Sequence, residues 1–318
     1  MNVISIGFCD MSRDFDVNNN LFVNALKKYN IEYSISEKPE VLFYSVFGNR
    51  HNLFKDCIKV FYCGEPMAPD FSDCDYAIGF DKISFGNRYL RRPLWFPDES
   101  IIAPIEISDD EALSRKFCNF VYSNDKDGNA VGLRTKFAKL LMEYKQVDCP
   151  GRVLNNMKSN LLAREDRNWT QSKVDFLKDY KFTIAFENSS YNGYTTEKML
   201  NPLSARSIPI YWGNPEVEED FNPEAFVNAN GYEDKLEELV KRVIELDNDD
   251  DAYLKMLHAN PMKADYDQKK ERNEFDRFIV NIVTGDNRPF AKDPLNFRRR
   301  MTFMNLSRKE KIMFFLNK

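Results

Sequence analysis

Short apolar runs recur along this chain, separated by stretches whose apolar residues fall at helical spacing or disappear into polar loops. Runs at 2–8, 31–35, 41–47, 59–63 and 76–80 read as strands, and 21–28 reads as a helix with Leu21, Phe22, Ala25 and Leu26 on its apolar face. A second series opens with a strand at 116–122. A helix follows from Arg134, with Phe137, Leu140, Leu141 and Tyr144 as its apolar positions. Strand and turn are expected at 147–151, strands at 182–186 and 207–213, helices at 234–246 and 265–282, and an acidic turn at 247–251. Strands alternating with helices imply parallel sheets covered on both faces. The second series begins between Ala112 and Ser123, and 318 residues accommodate two such domains.

The stretch 182–232 is the most informative. Its apolar strand is followed by a polar loop, Glu187 to Tyr194. Thr195 and Thr196 then offer helix-capping hydroxyls, with Glu197 and Lys198 in the first turn. A loop at the carboxyl end of a strand is where open α/β sheets bind ligands. A helix N-terminus with a lysine suits an anion such as a phosphate. Glu197 suits ribose hydroxyls, and Tyr191 and Tyr194 offer flat faces with polar tips. On these residues alone, a surface loop capping an ordinary βαβ unit is an equal reading. Pro202 would kink the helix or end it early.

Composition narrows the class. A hydrophobic share of 43% with 26 Phe supplies folded cores, and a net charge of −5 argues against nucleic acid as a partner. The six cysteines are scattered with no CxxC pair, as expected of thiols in a reducing compartment. With only His51 and His258 present, mechanisms built on several histidines are poor candidates. No leader-like start and no run of membrane-spanning length is seen, so a soluble cytoplasmic protein is expected. The tail, 289–318, mixes Arg298, Arg299, Arg300, Arg308 and Lys311 with Phe303, Phe314 and Phe315. It suits a peripheral contact with an anionic inner membrane face, or equally a packed helix with a solvated basic side.

FEN, GYTTEK, IPIYWGNP and DFNPEAFVNANGY, spread without a gap over about fifty residues, closely resemble the donor-binding motif of the α1,3/α1,4-fucosyltransferase family, glycosyltransferase family 10. The resemblance implies a GT-B fold, two Rossmann-like domains facing across a cleft. It divides the chain into an acceptor-binding domain at 1–115, a GDP-fucose-binding domain at 116–288 and the tail at 289–318. It implies that Glu197 binds ribose hydroxyls, that Asn188 and Tyr194 contact the nucleotide sugar, that Glu187 shapes the pocket and that Tyr191 lies near it. Ser123, Asn124 and Arg134 match the family's SN…R pattern, whose arginine binds the donor diphosphate, so Arg134 and Lys198 are expected to clamp it.

Glu65 follows a strand in the turn Gly64-Glu65-Pro66. Taken bare, such a residue is usually just solvated. KVFYCGEPMAPDF, DYAIGFD and NRYLRRPLWF resemble the family's acceptor segment, whose glutamate is the proposed base; Pro66 departs from the family, which has Asn there. The expectation is therefore an inverting α1,3-fucosyltransferase acting on a GlcNAc hydroxyl of an oligosaccharide, with Glu65 as base. Alternatives are a different acceptor (an N-glycan core GlcNAc, or α1,4 transfer to type-1 chains) and a nucleotide-sugar-binding protein without catalysis. Asp73-Cys-Asp75 and Asp265-Tyr-Asp267 imitate a metal-binding DxD, but neither follows a strand and loop. No metal cofactor is expected, since two cations would serve the diphosphate.

Overall fold

A computed structural model describes residues 3–93, 106–124, 129–157, 169–287 and 289. The expected tail, from residue 290 on, lies outside them. The chain divides into two compact units, up to Arg92 together with the segment from Lys269, and Pro93 to Gln268.

The first unit carries a parallel six-stranded sheet in the order β2-β1-β3-β4-β5-β6. Its strands are β1 (Ile4–Cys9), β2 (Tyr33–Ile35), β3 (Val41–Tyr44), β4 (Ile58–Tyr62), β5 (Tyr76–Gly79) and β6 (Tyr89–Arg91). All four residues of β3 and all four of β5 are buried, as parallel strands covered on both faces must be. Helix α1 (Leu21–Lys28) starts where the Asn20 side chain accepts the Phe22 and Val23 amides, both at 3.0 Å. It buries Phe22 against Phe43, with ring centroids 4.4 Å apart. A separate buried cluster joins Cys9, Leu42, Tyr44 and Phe61 of the strands to Cys57, Cys63 and Cys74. All six cysteines of the chain are buried thiols.

The second unit has a parallel five-stranded sheet in the order β8-β7-β9-β10-β11. The strands are β7 (Lys116–Asn119), β8 (Val147–Asp148), β9 (Tyr180–Phe186), β10 (Ile208–Trp212) and β11 (Val227–Asn228). Its helices are α2 (Asp109–Ser114), α3 (Asn129–Met142), α4 (Trp169–Leu177), α5 (Glu197–Ala205), α6 (Val217–Asp220), α7 (Leu236–Asp247) and α8 (Asp250–His258). Every residue of β9 and β10 is buried. Counted from its own first strand, each sheet runs 2-1-3-4-5 from one edge. That order reverses between β1 and β3 in one unit and between β7 and β9 in the other, the crevices where such sheets take ligands. These are the two Rossmann-like units a GT-B glycosyltransferase is built from.

The structure adds β6, β11, α2 and α4 to the expected elements and begins α3 at Asn129 rather than Arg134, and other features differ from the sequence reading as well. Helix α5 runs through Pro202 to Ala205, the proline lying wholly within its buried side. The acidic run at 247–251 is more than a turn: Asp247 closes α7, the chain turns at Asn248, Asp249 caps α8 by accepting the Ala252 amide at 2.9 Å, and Asp250 and Asp251 sit in its first turn, where the helix dipole favours them. Last, α9 (Gln268–Thr284), expected in the 116–288 domain, belongs to the first unit. Its Phe275 lies 6.3 Å from Phe22, its Asp276 pairs with Lys28, and Phe278 meets Tyr76 edge-on at 6.1 Å.

Candidate functional site

At the β7/β9 switch point of the second sheet lies a cavity of ≈ 470 Å³, lined by loop residues that follow β7, β8 and β9 and by the first turn of α5. Val121, Ser123 and Asn124 come from the first loop, Gly151 and Arg152 from the second, and Asn188 from the third. Glu197 and Lys198 open α5, while Arg134 and Lys173 reach in from α3 and α4. The volume is that of a site for a nucleotide-sized ligand. Another cavity, ≈ 430 Å³ beside Met262 and Lys263, brings one cation and the Asp265 carboxylate but no comparable cluster.

Arg134 is only 1% exposed. Its guanidinium donates to the Asn124 carbonyl at 2.6 Å and to Asn188 Oδ1 at 3.5 Å, and it stacks 4.2 Å above the Tyr122 ring. Tyr122 is fixed in turn: its hydroxyl donates towards the Phe186 carbonyl and accepts the Phe186 amide at 2.7 Å. Burial presses the guanidinium below its ordinary range, opposed by Tyr122. Among the described residues no carboxylate pairs with it, and its Nε is buried without a hydrogen-bond partner. A buried cation without a counter-ion is costly unless an anion completes it.

Lys198 is organised differently. Glu187 is fully buried and accepts the Thr196 amide at 2.8 Å, the Thr196 hydroxyl at 2.7 Å and the Lys198 ammonium at 3.3 Å. Glu197 faces Lys198 from the other side at 3.2 Å. Burial works against the ammonium, but Glu187 and Glu197 outweigh it and hold Lys198 charged well above the ordinary lysine range. One carboxylate thus fixes both the helix cap and the cation behind it. Gly213 makes this fit: a Cβ there would stand 2.4 Å from Glu187 Cγ. Gly151 is confined likewise, its Cβ falling 2.3 Å from the Tyr122 carbonyl oxygen.

Four expected donor residues therefore line the cavity together: Arg134, Asn188, Glu197 and Lys198. Glu187 lies behind it. Tyr194 is buried, its carbonyl accepting the Tyr211 hydroxyl at 3.3 Å, and Tyr191 is half-buried; neither is among the described lining residues. The loop they occupy is pinned by Asn214, which is fully buried, accepts the Gly193 amide at 2.8 Å and donates to Thr195 at 3.1 Å. Asn214, Arg152 and Lys173 are missing from the sequence reading. For Lys173 a signal existed: it lies four residues before the buried Leu177, a lysine on a buried helix face.

In the first unit, Glu65 is exposed in the loop that follows β4. The loop is anchored by the buried Cys63, whose Sγ accepts the Glu65 amide at 3.2 Å and lies 3.0 Å from its carbonyl. At the β1/β3 switch point Asp10 adopts a left-handed φ of 54°. Its carboxylate accepts the Arg50 amide at 3.0 Å, the His51 amide at 2.9 Å and His51 Nδ1 at 2.7 Å. His51 stacks on Tyr44 and reaches Asp73 through Nε2 at 3.1 Å. Asp75 accepts the Lys59 amide at 2.7 Å. The Asp73–Asp75 pair is thus engaged in packing, and among the described residues no three His, Cys, Asp or Glu side chains group as a metal site.

Comparison with known proteins agrees with this geometry. The model of the α-(1,3)-fucosyltransferase FucT N-terminal domain matches residues 6–97, and that of the glycosyltransferase family 10 (fucosyltransferase) C-terminal domain matches 113–278. The Helicobacter pylori α-(1,3)-fucosyltransferase FucT is 32% identical over 79% of this chain and 58% of its own length. A Danio rerio protein, GDP-fucose protein O-fucosyltransferase 3, is 35% identical over 39% of this chain and 27% of its own. The chain thus spans little more than half, or less, of these relatives. A crystal structure of an α1,3-fucosyltransferase with GDP-fucose superposes with a TM-score of 0.72 and 28% identity, covering 92% of this chain and 93% of that one. With both sheets, the switch-point cavity and its cations accounted for, this chain belongs to glycosyltransferase family 10, the fucosyltransferases.

Proposed function

We propose that this chain transfers L-fucose from GDP-β-L-fucose to the O3 of a GlcNAc unit in an oligosaccharide, with inversion. What carries the reading is Arg134, a buried guanidinium that no carboxylate among the described residues neutralises, lining a nucleotide-sized cavity. In this reading Arg134 and Lys198 receive the diphosphate, Glu197 takes the ribose hydroxyls and Asn188 contacts the nucleotide sugar. Glu65 removes the proton of the acceptor hydroxyl as that oxygen bonds to the anomeric carbon. The bond from that carbon to the β-phosphate oxygen breaks, and its electron pair leaves with GDP. Cations aimed at the charge that develops there lower the barrier, which makes the reaction independent of a metal. The solved relative carries GDP-fucose by its own description, and the family membership supports that donor.

The test is a screen of sugar nucleotides against LacNAc, lacto-N-biose and chitobiose acceptors, with the product linkage read by NMR. An α1,3-fucosyl product from GDP-fucose is expected. Transfer to O4 of lacto-N-biose or to chitobiose would move the acceptor and leave the donor standing. Binding of GDP-fucose with no release of GDP on any acceptor would make the chain a binding protein. The cytoplasmic location and the contact of the tail with the inner membrane face belong to the same proposal. They rest on composition, and liposome binding by the chain with and without 289–318 tests the contact.

A further inference from the structure

Glu65 lies exposed in a loop, yet both its backbone amide and its backbone carbonyl are tied to the buried thiol of Cys63. The Glu65 amide donates to Sγ at 3.2 Å, and the thiol donates to the Glu65 carbonyl at 3.0 Å. Those two groups flank the Glu65 Cα, so one sulfur atom restrains both of the backbone torsions that aim the side chain. The same carbonyl accepts the Met67 amide at 2.7 Å, which closes a three-residue turn about Pro66. Proline has no N–H to satisfy there, and its ring sets the torsion that such a turn requires.

Cys63 is held by the core in its turn. It belongs to the buried cluster with Cys9, Leu42, Tyr44 and Phe61, and its own amide donates to the Ile78 carbonyl of β5 at 3.3 Å. Burial pushes the thiol up to about 11, against the pull of the Glu65 and Met67 amides, so at neutral pH it keeps the proton that it donates.

We propose that Cys63 is a positioning residue for transfer: its thiol carries the rigidity of the core out to Glu65 and sets where that carboxylate meets the acceptor hydroxyl. This rests on the reading of Glu65 as the base. A base works only within about 2.6–3.2 Å of the proton's parent atom, and a displacement of about 1 Å can cost about 100-fold. Residues on surface loops are more mobile than the elements they connect, so a base placed on one needs its backbone fixed.

The test is a double-mutant cycle between Cys63 and Glu65, read as transfer from GDP-fucose to whichever of LacNAc, lacto-N-biose and chitobiose wild type fucosylates. Cys63→Ala should lower kcat about tenfold or more and leave GDP affinity unchanged. Cys63→Val fills the space but makes neither bond, and it should lose as much. Either of them serves the cycle if the other fails to fold, which thermal unfolding shows. Cys63→Ser, whose hydroxyl donates and accepts in place of the thiol, should stay within about threefold of wild type. In the Glu65→Gln background Cys63→Ala should cost less than about twofold, because the group that it positions is gone. An equal loss with and without the Glu65 carboxylate overturns the proposal, since a merely structural role acts on both. So does Cys63→Ser as slow as Cys63→Ala, or Cys63→Val as fast as wild type. Full transfer by Glu65→Gln, or a wild type that fucosylates none of the three acceptors, overturns the reading of Glu65 as base and this proposal with it.

Discussion

Replacing Arg134 by Met separates the cost of the buried guanidinium from its use. In the empty protein the side chain is 1% exposed with no carboxylate partner among the described residues, a burial that costs several kcal/mol. Its short hydrogen bond to the Asn124 carbonyl contributes about 1.5–3 kcal/mol. The desolvated stack on Tyr122 contributes about 2. The 3.5 Å contact with Asn188 adds little. These offset to within about 2 kcal/mol, so Arg134→Met, close in volume, should leave the unfolding temperature within about 4–8 °C of wild type. A residue whose charge served the fold would cost about 3–5 kcal/mol on removal. With GDP the outcome reverses: a charged donor facing a phosphate in a dry site is worth about 3–4 kcal/mol, and affinity should fall about 100- to 1,000-fold. Thermal scans with and without GDP show both effects. At about 100 times its dissociation constant GDP stabilises wild type by about 2.7 kcal/mol, and the variant should gain almost nothing at the same concentration. A large drop in melting temperature together with unchanged GDP affinity would refute the reasoning.

Three further outcomes are expected. Glu65→Gln should bind GDP-fucose like wild type and lose about 100-fold or more in transfer, and full turnover in that variant removes Glu65 as base. Gly213→Ala places a methyl group 2.4 Å from Glu187 Cγ, so it should destabilise the protein by about 1–3 kcal/mol and weaken GDP binding through Lys198; denaturant unfolding and calorimetry read the two effects, and unchanged values in both dismiss the link. The third concerns acid stability. Burial raises the Asp10 carboxyl, but hydrogen bonds from the His51 amide and ring and from the Arg50 amide outweigh it and hold it low. Its contribution is whole above about pH 4 and is lost as pH falls through the lowered value. Asp10→Asn should therefore lower the melting temperature at neutral pH and flatten its fall towards acid, and parallel curves for both proteins would contradict this.

All strands but β6 and β11, and the start of α5, were legible because buried parallel strands write themselves as apolar runs and a Thr-Thr-Glu-Lys sequence marks a capped helix. The sequence also brought Arg134, Asn188, Glu197 and Lys198 to one place, through the family's motif. What it hid has particular causes. The acidic run 247–251 reads as one turn, yet the turn is confined to its middle, and its ends belong to two helices. β11 has two residues and β6 three, too short for any period. The place of α9 depends on Phe275 and Asp276 meeting Phe22 and Lys28, contacts across some 250 residues that no local pattern carries. Pro202 does not end α5, which runs on to Ala205 with every residue from Met199 buried, so tertiary burial there overrides a local breaker.

The two crevices of this chain have the same strand order and opposite furnishing. In the second, no carboxylate among the described residues pairs with the Arg134 guanidinium. In the first, Asp10 brings its own: its carboxylate occupies the amides of Arg50 and His51 at the head of a short 3-10 turn, where a phosphate would otherwise settle. Gly48 presses so near that a methyl there would overlap the Asp10 oxygen. That berth is taken by the protein's own carboxylate, so the two amides have no hydrogen left to offer an anion from outside.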